Sequence, residues 1–199
     1  VVGAQSLISD TAIGLPLDRA FVDQIDPLRR EGRTVCEAAS EAVADADCRG
    51  AVATELMRCC FAQALAAGAT DLIAAVTPQR LGFYEFLGFE AFSEVRRYSE
   101  KLNHPVLLAR IDLAGLDGRF AEIDPEDEGE AFLKRYYLED NPYRGRVDEW
   151  AIEAERMFAD AAALKAVFLD ATRVLTRLNL QETEAVRGQW GQDIFEPVK

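Results

Sequence analysis

Apolar positions along the first half of the chain change period several times, and each change marks an element. Val1-Val2-Gly3-Ala4-Gln5-Ser6-Leu7-Ile8 reads as a strand, Ser9-Asp10 as a turn, and Gly14-Leu15-Pro16 as an irregular link. From Asp18 to Arg30, Phe21, Val22, Ile25 and Leu28 are spaced as one helical face, and Gly32 ends the helix. Thr34 to Val43 is a strand candidate with weak alternation and much alanine, followed by a polar loop from Asp45 to Gly50. Residues 51–67 predict a strong helix, with Val52, Leu56, Cys59 and Cys60 beside a second stripe of Met57, Phe61 and Leu65, closed by Gly68.

The segment 71–92 carries the densest set of signals. Leu72, Ile73 and Val76 form a strand-type run. Thr77-Pro78 opens a helix, because threonine can cap free N–H groups and proline at the first position loses no hydrogen bond. Leu81, Tyr84 and Glu85 share a face by spacing, Gly88 sits where a helix needs a left-handed residue to stop, and Phe89 and Phe92 return the chain to the core. Val106 to Leu113 is apolar on both faces and predicts a central strand. The succession is that of a mixed sheet with helices, ending near Leu113.

Beyond Leu113 the pattern turns helical. Asp124-Pro125-Glu126-Asp127 is a helix start, and Phe132, Leu133, Tyr136 and Tyr137 continue it to Asn141-Pro142. No glycine or proline occurs between Arg146 and Arg187. Within that stretch Trp150, Ala154, Met157, Ala161, Leu164, Phe168, Ala171, Leu175 and Leu178 form a heptad seam. The seam suits either the chain's own helices or a second subunit, a homodimer through residues 147–178. The expected organisation is a core over 1–113 and an all-helical extension over 114–199.

Composition narrows the function. A net charge of −13 argues against a nucleic-acid partner, since phosphate backbones need Lys and Arg. Six carboxylates crowd residues 122–130, while basic residues gather at Arg29, Arg30 and Arg33 and at Arg96, Arg97 and Lys101. No apolar run is long enough to span a bilayer and no signal-peptide pattern opens the sequence, so the cytoplasm is the default expectation. Cys36, Cys48, Cys59 and Cys60 have neither zinc nor disulfide spacing and read as reduced, mostly buried thiols. His104, the one histidine, lies in the turn signal Asn103-His104-Pro105 and reads as a loop residue.

Three stretches resemble the GNAT acyltransferase superfamily. Thr34 to Val43 looks like its central strand, which splays to admit the pantetheine arm of an acyl donor. Cys48-Arg49-Gly50-Ala51-Val52-Ala53 enters a helix where the family keeps its pyrophosphate loop. Phe83-Tyr84-Glu85-Phe86-Leu87-Gly88-Phe89 is similar to its Tyr-x-x-x-Gly-Phe motif. More narrowly, Gly14 to Asp18, Asp26 to Arg33 and Pro105 to Asp112 resemble the N-acyl amino acid synthase branch, related to the acyl-homoserine lactone synthases.

The resemblance implies an α+β fold, a GNAT-like mixed central sheet flanked by helices. It implies transfer of a long acyl chain to the amine of an amino acid or similar small amine. The donor would be an acyl-carrier-protein or coenzyme A thioester, with no permanently bound cofactor and no metal. Tyr84 would protonate the leaving thiolate. Glu37 is the candidate base, with Ser40 or Glu41 as alternatives, because alternation decides which side chains reach the cleft. Val43, Arg49, Gly50, Ala51 and Val52 would meet the donor at a helix N-terminus, and N–H groups around Val43 to Asp45 would polarise the thioester carbonyl. Departures stand beside these matches. Val52 and Thr54 occupy positions where the family has glycines, Thr77 stands where an asparagine is common, and the family has a first strand and two helices ahead of the point that matches Val1. Two other expectations therefore stand: a non-catalytic module that binds a ligand or partner, and an acetyl-coenzyme A N-acetyltransferase. The aromatic trio Tyr136, Tyr137 and Tyr143 would complete an acyl tunnel or a dimer interface.

Overall fold

The computed structural model describes residues 2–44, 49–99, 104–121, 123–124, 126–147 and 161–198. Strands β1 (Gly3–Ser9), β2 (Val35–Val43), β3 (Asp71–Val76), β4 (Glu90–Ala91), β5 (Arg96–Arg97) and β6 (Pro105–Asp112) form one mixed sheet. Its order is β1-β2-β3-β6-β4, with β5 also on β6. Among the described strands, only the β2–β3 pair is parallel. β6 lies between β3 and β4, as its two apolar faces predict.

Strand alternation sends neighbouring residues to opposite faces. Val35, Ile73, Val106 and Leu108 pack with Phe21, Ile25 and Leu28 of α1 (Asp18–Arg30). Cys36, Ala38, Leu72, Ala74, Leu107 and Ala109 pack with Met57 and Phe61 of α2 (Arg49–Ala66) and Tyr84 of α3 (Leu81–Phe86). Val22, whose spacing groups it with Phe21, is 46% exposed instead. α1 kinks at Phe21, and the turned backbone leaves Val22 on the solvent side.

The 71–92 segment folds in the predicted order, with two corrections. The helix begins as a tight turn, Pro78–Arg80, and the Thr77 side chain caps nothing. The Thr77 carbonyl instead accepts the Arg80 N–H at 2.8 Å. Glu85 is exposed and does not share the buried face of Tyr84. Gly88, at φ 83°, stops α3 as predicted. Its N–H bonds the Glu85 carbonyl and the Phe89 N–H bonds the Tyr84 carbonyl, a closure that holds the Tyr84 turn in place.

After β6 come α4 (Leu116–Ala121) and α5 (Glu128–Lys134), which widens into a π-helical turn over Arg135–Glu139. The cap of α5 is Asp127, accepting the Glu130 N–H at 3.0 Å. Asp124, first residue of the expected helix start, serves a preceding turn by accepting the Glu126 N–H. Tyr137 stacks on Phe61 with ring centroids 3.9 Å apart and donates its hydroxyl to the Leu87 carbonyl. Tyr136 donates to the Thr54 carbonyl at 2.6 Å. Both tyrosines are spent on fixing this helix to α2 and α3, which is why the first compact unit (1–10 and 15–145) runs past Leu113.

The second unit comprises residues 11–14 and 146–199. Of the heptad seam, Trp150, Ala154 and Met157 lie outside the described residues. The rest does not form one helix. A helix over Ala161–Leu164 widens over Lys165–Ala171, Arg173 takes φ 54°, and a short turn spans Leu175–Arg177. A new helix, Leu180–Trp190, then starts with a capping box between Asn179 and Glu182. That box is legible as Asn-x-x-Glu in the sequence, and it competes locally with continuation of the seam. Phe168, Trp190 and Phe195 form a run of ring contacts within this unit.

Candidate active site

The parallel ladder between β2 and β3 has three rungs: Val35 with Asp71, Cys36 with Leu72 and Glu37 with Ile73. Past Glu37, β2 stays with β1 while β3 stays with β6, and the strands part. The β1–β2 register also shifts there. Ala4 pairs with Ala42 and Ser6 with Ala39, so Ser40 and Glu41 together oppose Gln5. This is a β-bulge, and Ser40 holds the left-handed φ of 54° that goes with it. The parted strands enclose a cleft of about 380 Å³, with Gln5, Glu37, Ser40, Glu41, Arg80 and Tyr84 among its lining.

Glu37 is 3% exposed and accepts one hydrogen bond, from the Leu17 N–H at 3.0 Å. Burial pushes its carboxyl up to about 7; the Leu17 N–H opposes that shift and the charge of Asp18 adds to it. The turn bearing Leu17 is itself tied down. Asp18 accepts the Leu15 N–H, and Arg29 bridges Asp18 and Asp10. A carboxyl titrating near neutrality in a cleft is suited to proton transfer.

Tyr84 is buried, with its ring edge-on to Phe83 and Phe89 at 5.7 and 5.2 Å. Burial raises its pKa above the usual phenol value, Glu41 raises it further, and Arg80 opposes. The phenol is therefore protonated at neutral pH and can act as an acid. Arg80 pairs with Glu41 at 2.8 Å and lies 5.7 Å from the Tyr84 ring centroid. Glu37 hangs from the face covered by α1, whereas Tyr84 belongs to the core on the α2 face. The cleft thus passes through the sheet, with the Glu37 carboxyl on one side and the Tyr84 phenol on the other.

The three residues expected to carry chemistry, Tyr84, Glu37 and Ser40, meet at this one cleft. The residues expected to hold the donor stand elsewhere. Val43 ends β2, paired with Gly3. Arg49 and Gly50 are exposed at the first turn of α2. Ala51 and Val52 line a second, mostly apolar cavity of about 440 Å³ with Leu56, Cys59 and Tyr143. The Val52 side chain packs so closely on Gly3 that a Cβ there would lie 2.6 Å from it. Asp45 and Cys48 lie outside the described residues. The thiols of Cys36, Cys59 and Cys60 are all raised by burial, Cys60 to about 12, as inert buried cysteines should be. His104 is exposed. No cluster fit to hold a metal occurs among the described residues, and no described helix is long and apolar enough to cross a membrane.

Gln5, Arg80 and Tyr98 also line the cleft and were not singled out from the sequence. A signal existed for Gln5, a lone amide in an otherwise apolar and small-residue strand. None existed for Arg80, whose role depends on the parting of β2 and β3.

No curated protein matches the chain. It is similar to the solved structure of FeeM, an N-acyl amino acid synthase from uncultured soil microbes, at 26% identity and a TM-score of 0.52. That match covers 56% of this chain and 61% of FeeM, so the chain spans less than two thirds of that protein. The likeness agrees with the mixed, GNAT-like sheet described above. Residues 1–112 match the family of N-acyl amino acid synthase FeeM, and the chain belongs to that family.

Proposed function

We propose that the protein is an N-acyltransferase that moves an acyl group from a carrier-protein or coenzyme A thioester to the amine of an amino acid or similar small amine. The observation that carries this reading is the cleft through the parted strands, with Glu37 on one face and Tyr84 on the other. The amine arrives as an ammonium. Glu37 takes its first proton, and the free amine attacks the thioester carbonyl. The unpaired edge of β2 between Ala38 and Glu41 offers backbone N–H groups to the oxyanion. As the intermediate collapses, Tyr84 protonates the departing thiolate. Of the two protons leaving nitrogen, one restores Tyr84 and the other reaches solvent through Glu37.

Family membership supports a long acyl chain and an amino-acid acceptor. A second reading, a binding module without turnover, is favoured by the packing of Val52 on Gly3, away from the cleft. Incubation with acyl-carrier protein, long-chain acyl-coenzyme A or acetyl-coenzyme A and a panel of amines, with detection of free thiol, separates the readings. Amine-dependent thiol release is expected with a long-chain donor. Release from acetyl-coenzyme A alone would assign an acetyltransferase, and no release with any donor would leave the binding module.

A further inference from the structure

We propose that Gln5 is a donor-binding residue, its side-chain carboxamide accepting a hydrogen bond from the cysteamine amide of a phosphopantetheine arm. This rests on the acyl-transfer reading above. Gln5 lines the cleft, and its Oε1 is buried without a hydrogen-bond partner. A buried amide oxygen left unpaired is costly, and a ligand that supplies an N–H recovers that cost. The position is set by the bulge, where Ser40 and Glu41 oppose Gln5, just past the last β2–β3 rung.

The face decides which substrate Gln5 meets. Its strand neighbours two residues away both face α2. A Cβ on Gly3 would run into Val52 and Leu56, and Leu7 packs on the cluster that contains Tyr84. Alternation therefore puts Gln5 on the face of Tyr84, where the thiolate leaves, and away from Glu37, where the amine is deprotonated. A thioester has no hydrogen to donate. On a phosphopantetheine arm the nearest donor is the amide one ethylene unit from sulfur. Whichever way the carboxamide is turned, it complements a secondary amide, which carries one donor and one acceptor. Coenzyme A and carrier proteins share this arm.

Calorimetry on the full chain tests the assignment with dead-end thioethers: S-octyl pantetheine, S-octyl coenzyme A and a carrier protein bearing S-octyl phosphopantetheine. Gln5→Leu should raise Kd about tenfold for every probe the wild type binds, and Gln5→Glu, which keeps an acceptor oxygen, should stay within about threefold. An octyl thioether of 2-mercaptoethanol, which lacks the amide, should bind wild type and Gln5→Leu alike. The tighter of the coenzyme A and carrier-protein probes identifies the natural source of the arm. Gln5→Leu should melt at or above the wild-type temperature, since it removes an unpaired buried polar group. Equal Kd values in wild type and Gln5→Leu, or no binding of any probe to the wild type, would overturn the assignment. Thiol release by the wild type alongside such a result would leave the acyl-transfer reading standing.

Discussion

Asp71 and Glu37 are buried carboxylates at opposite ends of one short ladder, the three rungs that join β3 to β2. Asp71 stands at the closed end. Arg33 grips both of its oxygens, Arg110 bonds one at 2.7 Å, and the Thr70 hydroxyl donates to the other at 2.7 Å. Glu37 stands at the open end, where the strands part, with one backbone N–H for company. Two acids of similar burial thus have opposite settings. A carboxylate enclosed by two guanidinium groups holds structure together. One that is buried and underpaired is costly to ionise, and that cost is what brings it into the range of proton transfer.

The largest expected effect falls at the closed end. Asp71→Ala leaves Arg33 and Arg110 facing a buried gap and should cost about 3–5 kcal/mol of unfolding free energy, read by urea denaturation at pH 7. A cost below about 1 kcal/mol would remove the contrast. Glu37→Gln should do the reverse. Turnover should fall about 10²–10⁴-fold, while the protein becomes more stable. The sign follows from the raised carboxyl, about 7 folded against an ordinary 4.5. Between these values the unfolded chain is ionised while the folded chain keeps its proton, so stability declines as pH rises and the loss is complete above about 7. Thermal or urea melts should therefore show Glu37→Gln gaining about 3 kcal/mol at pH 8 and nothing near pH 4.

Tyr84→Phe keeps the ring contacts with Phe83 and Phe89 and loses the hydroxyl. Thiol release should slow about 10²-fold with stability nearly unchanged; an unaltered rate would take the acid role from Tyr84. The smallest change is Thr70→Val, which removes the hydroxyl's bond to Asp71 and the one it accepts from the Thr34 N–H. It should cost about 1 kcal/mol in the same denaturation assay and leave turnover intact.

Much of this contrast was legible in sequence, though unevenly. The strand–helix–glycine succession over 71–92 foretold Tyr84 on a helix beside a sheet, because proline, tyrosine spacing and Gly88 all act locally. Glu37 and Glu41 stood out as the two carboxylates of an otherwise small, apolar strand, and both line the cleft. What escaped depends on contacts distant in sequence. The Asp71 network joins residues 38 and 39 positions apart, and the Glu41–Arg80 pair forms only because two strands diverge. The heptad seam misled for a different reason. Its apolar spacing continues past Ala171, but Arg173 turns left-handed and the Asn179–Glu182 box starts a new helix. Periodicity reports which side chains want burial, and caps report where a helix stops.

The most direct test of the account is the pH dependence of thiol release at saturating amine, measured on wild type and Glu37→Gln together. The wild-type rate should climb through pH about 7 and level off above it, and the residual rate of the variant should lack that rise. The same rise in both proteins would place the titrating group elsewhere and contradict the assignment of Glu37 as the base.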